Sequence, residues 1–166
     1  MSDILAYFLT WTTYGTWLPG DGRGWANRHE NKWSAVRSRR PPLEAHARNM
    51  LKEDPIIMDV AMREVVCTAI EGACVGLDWR IHALAVCSNH VHIVVTANDA
   101  NPGKVLGVLK VAGTRALNEW GKGVTRRRWW TKMGSKRVLN AVQAVDAAVR
   151  YVCDHNLASG GESSSP

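Results

Sequence analysis

Residues 78–97 read DWRIHALAVCSNHVHIVVTA. The tight-turn pair Ser88 and Asn89 divides the stretch into two apolar runs, Asp78–Cys87 and His90–Ala97, the pattern of an antiparallel hairpin. Side chains alternate across a strand, so His90 and His92 share one face, about 7 Å apart along the backbone, while Val91 and Ile93 point the other way into a core. Apolar residues would pack better where the two imidazoles stand. Such a pair can ligate a single divalent metal or orient a phosphate.

Upstream of the hairpin, Ile4–Leu18 (ILAYFLTWTTYGTWL) is aromatic and β-branched and reads as a first strand. Pro19–Trp25 is a loop whose Gly20, Gly22 and Gly24 fit no phosphate-cradling fingerprint and serve turns. Asn27–Asp54 is polar and basic, with Pro41 and Pro42, as suits an excursion over the surface. Helical spacing of Val60, Val65, Ala69 and Ala73 predicts a helix from Ile56 to about Gly76, started by Asp54 and Pro55. Downstream, Asn101–Gly121 is a second helix with Asn101 as its cap and Val105, Leu106 and Leu109 inward. A short strand or loop follows, then a third helix over Asn140–Ala158. Strand, helix, strand, strand, helix, strand and an extra helix define an α+β, ferredoxin-like split βαβ antiparallel sheet with an added C-terminal helix. Residues 1–158 are expected to form one domain with a basic insertion at about 27–54, and 159–166 a flexible tail.

The 166 residues, 46% hydrophobic, suffice for one domain core. No segment approaches the roughly 20 apolar residues that span a bilayer. The opening MSDILAYFLTWTT has no basic n-region, so a cytoplasmic chain is expected. Four cysteines, none in a CxxC pair, read as reduced core residues. The net charge is +6, and Lys104–Arg150 holds eleven Lys/Arg against Glu119 and Asp146 alone. Within it, TRRRWWTKMGSKR (125–137) interleaves Arg126, Arg127, Arg128, Lys132, Lys136 and Arg137 with Trp129 and Trp130. Cations neutralise phosphates and exposed indoles stack on bases, so the segment reads as a nucleic-acid surface. The alternative makes the two tryptophans core anchors under a basic loop.

On the last helix, Val142, Val145, Val149 and Val152 form the expected core stripe, and Tyr151 and His155, four apart, share a different face. A phenol is a poor nucleophile at its ordinary pKa of about 10, yet it can attack a phosphodiester that a metal polarises. The plainer reading leaves Tyr151 at the edge of a core helix with its hydroxyl in water. Tyr7 and Tyr14 are the rival phenols, both in the first strand region.

SNHVHIVV (88–95) followed by a helix bearing RYV (150–152) resembles the HUH single-tyrosine transposases of small insertion sequences. TTYGTWLPGDGRGW (12–25) and WWTKMGSKRVL (129–139) resemble the REP-associated tyrosine transposases within that superfamily. The likeness runs from about Phe8 to Val152. It implies that His90 and His92 bind Mg²⁺ or Mn²⁺, and that Tyr151 forms a 5′-phosphotyrosine link with single-stranded DNA and frees a 3′-OH. The family's polar residue one turn past the tyrosine, often Gln or Asn, is here His155, with Asn156 beside it as the alternative ligand. Three nitrogens shift preference from Mg²⁺ towards Mn²⁺ or other transition metals. The implied partner is hairpin-bearing single-stranded DNA, bound by a monomer or a homodimer with no membrane association, in the cytoplasm and on the nucleoid. Two other functions compete: a ferredoxin-like nucleic-acid-binding module with a degenerate site, and a metal-dependent hydrolase in which Tyr151 is structural. HVHIVV lacks the stacking aromatics of an RNA-binding sheet.

Overall fold

The structure, a computed structural model, describes residues 4–23, 38–121, 126 and 128–160. Arg127, Gly24, the first part of the basic insertion and most of the tail lie outside these. The elements are β1 (Ala6–Thr12), α1 (Pro41–Asn49), α2 (Val60–Gly76), β2 (Arg80–Val86), β3 (His90–Thr96), α3 (Pro102–Trp120), β4 (Ser135–Leu139) and α4 (Val142–Gly160). The strands form one open sheet in the order β2-β3-β1-β4, each neighbour antiparallel. This is the expected ferredoxin-like order, with α4 added.

Strand alternation feeds two cores. Tyr7, Leu9 and Trp11 of β1 and Val91, Ile93 and Val95 of β3 pack with Val66, Ile70 and Cys74 of α2 and Val105, Leu109 and Leu117 of α3. On the opposite face a smaller core joins Ala6, Ala83, Ala85, Cys87, Val94 and Leu139 to Ala148 and Val152 of α4. β3 is therefore covered on both sides, which explains its nearly continuous apolar run.

Four expectations about the elements change. β1 ends at Thr12 instead of Leu18: the Thr13 N–H still bonds Asn89 O (2.8 Å) in the same register, and the chain then turns at Gly15, which adopts a left-handed conformation, φ +75. α2 starts at Val60 because the N–H groups of Ile56 and Met58 are committed to Tyr14 O (3.0 Å) and Ser88 O (2.6 Å); Asp59 then caps, accepting from Met62 N. The insertion contains α1, which starts on Pro41 and Pro42 and buries no residue, so no apolar periodicity announces it. In α4 the stripe is Val145, Ala148, Val149 and Val152, while Val142 is 62% exposed.

The tryptophan alternative resolves towards the core. Trp129 is 5% and Trp130 8% exposed. Trp129 Nε1 donates to Asn118 Oδ1 (2.7 Å), and Trp130 Nε1 to Lys110 O and Thr114 Oγ1 (3.1 Å each). Neither indole offers a face to a base, so both leave the set of nucleic-acid contacts. None of the four cysteines forms a disulfide; Cys74 and Cys87 are buried, whereas Cys67 is only half-buried and Cys153 exposed, against the expectation of core positions for all four. No described helix is long and apolar enough to cross a membrane.

Candidate metal and nucleophile site

α4 lies across β2 and β3 on the sheet face opposite α2 and α3. Beneath α4 that face is built from Ala83 and Ala85 of β2 and from Cys87 just after it, and such small side chains let a helix come close. Register then fixes the floor of the site. His92 lies between Ala85 and Thr10, Thr10 pairs with Ser135, and His90 pairs with Thr12.

Onto this floor α4 lowers Tyr151 and His155. The His90 and His92 rings are 4.6 Å apart, and His155 stands 5.9 Å from His90 and 4.9 Å from His92, centre to centre. One ligand atom from each of the three lies within 4.8 Å of the others. At metal–nitrogen bonds of about 2.1 Å two ligands of one ion stand at most about 4.2 Å apart, so the triad is close to a coordinating arrangement. Tyr151 sits 5.5 Å from His92 and 4.3 Å from His155, with Phe8 edge-on at 5.9 Å. Its side chain remains 47% exposed. Asn156, next on the helix, is exposed and about 100° further round.

Each imidazole is held through Nδ1. His90 Nδ1 bonds Asn89 Oδ1 (2.7 Å) and His155 Nδ1 bonds the Tyr151 carbonyl oxygen (3.1 Å). These oxygens only accept, so both rings donate from Nδ1 and carry their lone pair on Nε2. His92 Nδ1 meets the Thr10 hydroxyl at 2.7 Å, a partner that accepts equally well. Such supporting bonds are the usual companions of metal-ligating histidines. Burial, followed by the charges of His90 and His155, pulls the His92 pKa down to about 3. His90 is lowered by burial, then by His155 and by Arg23. Neutral imidazoles are the form a metal needs.

The rival phenols are elsewhere. Tyr7 faces the larger core and donates to Ala100 O (3.0 Å), while the Tyr14 oxygen accepts from Lys52 N (3.0 Å). The basic segment is split. Arg137 pairs with Phe8 and so shares the face of His92, whereas Lys136 pairs with Leu9 and faces α3. Arg126 donates to Asp54 O (2.6 Å) and lies over Trp129, and the Arg128 N–H donates to Glu53. Lys132 is exposed in the loop before β4. That loop is anchored by Lys110, whose Nζ donates to Thr131 O (2.8 Å) and Met133 O (3.0 Å) and whose pKa burial lowers to about 8. Sequence reasoning did not single out Thr10, Asn89, Phe8, Arg23 or Lys110. Their neighbours come from cross-strand register and loop packing, which spacing along the chain does not reveal.

A four-stranded open sheet bearing paired histidines, with a tyrosine helix across it, is the class of architecture seen here. Residues 43–153 match the family described as "Transposase IS200 like", and the chain belongs to that family of DNA transposases. In fold it is similar to a REP-associated tyrosine transposase solved bound to a REP hairpin, at TM-score 0.55 and 12% identity, covering 93% of this chain and 68% of that one. A Deinococcus radiodurans R1 protein assigned as a transposase aligns at TM-score 0.46 and 12% identity, over 94% of this chain and 93% of that one. No curated protein matches the chain.

Proposed function

We propose that this transposase cuts and rejoins single-stranded DNA through Tyr151 in a metal-dependent reaction, on hairpin-bearing repeat DNA of the kind bound by the REP-associated relative. The observation that carries the reading is the meeting of Tyr151 with His90, His92 and His155 on one sheet face, while Tyr7 and Tyr14 are buried elsewhere.

His90, His92 and His155 would hold the ion, with Asn156 the alternative to His155. Bound there, Mg²⁺ or Mn²⁺ would polarise the scissile phosphate and offset charge on the leaving oxygen. The three nitrogens favour Mn²⁺ over Mg²⁺. The chain's own residues do the rest. The Tyr151 hydroxyl, which is open to solvent, gives its proton to water, and its oxygen bonds to phosphorus as the bond to the 3′ oxygen breaks. This leaves a 5′-phosphotyrosine and, once that oxygen is protonated, a free 3′-OH. Thr10 and Asn89 keep His92 and His90 oriented, and Phe8 limits the swing of the phenol. Arg137, with Arg126, Arg127, Arg128, Lys132 and Lys136 as weaker candidates, neutralises backbone phosphates. Tyrosine and histidines meet within one chain, which supports a monomer acting alone over an exchanged dimer. The whole of 1–158 serves as a single catalytic domain in this reading.

The test is covalent trapping. Incubation with Mn²⁺ or Mg²⁺ and labelled hairpin-bearing single-stranded DNA should give an adduct that survives boiling in detergent and maps by mass spectrometry to Tyr151. Tyr151→Phe should abolish the adduct and leave binding intact. Cleavage without any adduct would establish a plain hydrolase instead, and binding with no cleavage a degenerate module.

A further inference from the structure

We propose that Trp17 and Arg23 form a ledge beside the histidine cluster that stacks a base and neutralises a phosphate next to the nucleotide being cut. The inference rests on the single-stranded DNA reading above and adds a contact to it.

Trp11, Trp79, Trp129 and Trp130 are buried, whereas Trp17 (40%) and Trp120 (48%) are exposed; Trp120 ends α3, and Trp17 lies in the loop that follows β1. The Arg23 guanidinium lies over its ring, 5.0 Å from the centroid. That guanidinium is fixed before any ligand arrives. Nε and Nη2 both donate to the Asp21 carboxylate, Nη2 also donates to Thr16 O (2.6 Å), and Asp21 Oδ1 receives the Arg23 N–H (2.9 Å). Nη1 takes part in none of these bonds. A planar cation stacked on an indole is the chemistry that meets a nucleotide, whose base has a π-face and whose phosphate is an anion.

The loop is anchored to the start of the strand that carries the histidines. Thr12 pairs with His90, and the loop begins at the next residue. Thr13 donates through N–H to Asn89 O (2.8 Å), and its hydroxyl meets that of Thr16 (2.9 Å). Asn89 therefore holds both the loop and, through its side chain, the His90 ring. A strand whose phosphate lies against the histidines has its next nucleotide within reach of this loop. Stacking reads no hydrogen-bond edge, so the ledge would grip any base and fix the strand's position relative to Tyr151.

The experiment measures binding on a Tyr151→Phe background in EDTA, where no cleavage occurs. The probes are fluorescein-labelled oligo(dT) and an abasic phosphodiester chain of equal length. Trp17→Ala should weaken oligo(dT) binding by about five-fold or more and leave the abasic chain unaffected, and Trp17→Phe should retain most of the difference. Arg23→Ala should weaken both probes and lower the salt slope by about one. Arg23→Lys, which keeps charge but loses the plane, should weaken oligo(dT) alone. Circular dichroism melts of each variant identify any that fails to fold, in which case the Phe and Lys variants decide. Unchanged oligo(dT) binding in Trp17→Ala, or equal loss of both probes, overturns the ledge. If the wild type forms no tyrosine adduct, the cleavage reading falls while the probe comparison stands; if the adduct forms and the probes show no contrast, only the ledge falls.

Discussion

Asn89 and Tyr151 each present an amide carbonyl oxygen to an imidazole, and a carbonyl cannot donate. The tautomers of His90 and His155 follow from that single fact, and so does a measurable dependence. Asn89→Ala should lower Mn²⁺ affinity by about ten-fold or more, as loss of an outer hydrogen bond usually does, with all three histidines still present. An unchanged affinity by calorimetry would mean that the ring needs no such guide. The depressed His92 makes a second prediction, for the metal-free protein. Its folded pKa of about 3 lies below the 6.5 of an unperturbed imidazole, so on acidification the unfolded chain takes up the proton first. Stability is then fully retained above about pH 6.5 and declines below it, by up to about 1.4 kcal/mol per pH unit for this one group, until pH nears 3. Urea midpoints should fall over that window and fall less in His92→Gln. At this scale the sequence was informative where chemistry repeats with period two or four, as at His90, His92, Tyr151 and His155. It was silent on Thr10, which becomes a partner of His92 only once β1 and β3 are in register.

α4 reaches the sheet because β2 offers it a row of alanines and a cysteine. Ala85→Leu places a large side chain under the helix and should cost about 1–3 kcal/mol through overpacking. Its more telling effect is functional. Lifting α4 separates Tyr151 from His92, so adduct formation should drop well beyond what the loss of stability explains, while metal binding through His90 and His92 weakens less. Parallel loss of both would place the two functions on one rigid unit. The elements that sequence patterning located well, β2, β3 and α3, draw their signal from within themselves: alternation, a turn pair, and an Asn101 cap that accepts from Lys104 N (2.9 Å). Those misplaced were decided by distant partners. Ile56 and Met58 leave the helix register to bond Tyr14 and Ser88, and α1 has no buried face to advertise it. Gly20 shows the same dependence on distant partners. At φ +90, a Cβ there would stand 2.6 Å from Arg40 O and 2.7 Å from Glu44 N, so only glycine lets the loop after β1 meet the start of α1.

At the scale of the whole sheet, the two basic residues of β4 divide between its faces, and Arg137 shares the face that bears His90 and His92. Arg137→Ala should weaken single-stranded DNA binding and lower the slope of log affinity against log salt by about one, because Arg137 shares the row of Phe8 beside the site. Lys136→Ala, one residue away on the α3 face, should change the slope far less. Equal effects would show that DNA wraps both faces. The overall charge excess was plain in the sequence, but its partition needed the β1–β4 register, and the burial of Trp129 and Trp130 needed α3. The order of the elements has one more consequence. β4 and α4 follow every other part of the sheet in the chain, so a ribosome delivers the histidine strand well before it delivers Tyr151. If Tyr151 is the nucleophile proposed above, a nascent chain acquires it only once synthesis has passed α4, and a message broken ahead of that helix yields a polypeptide with His90 and His92 but neither Tyr151 nor His155.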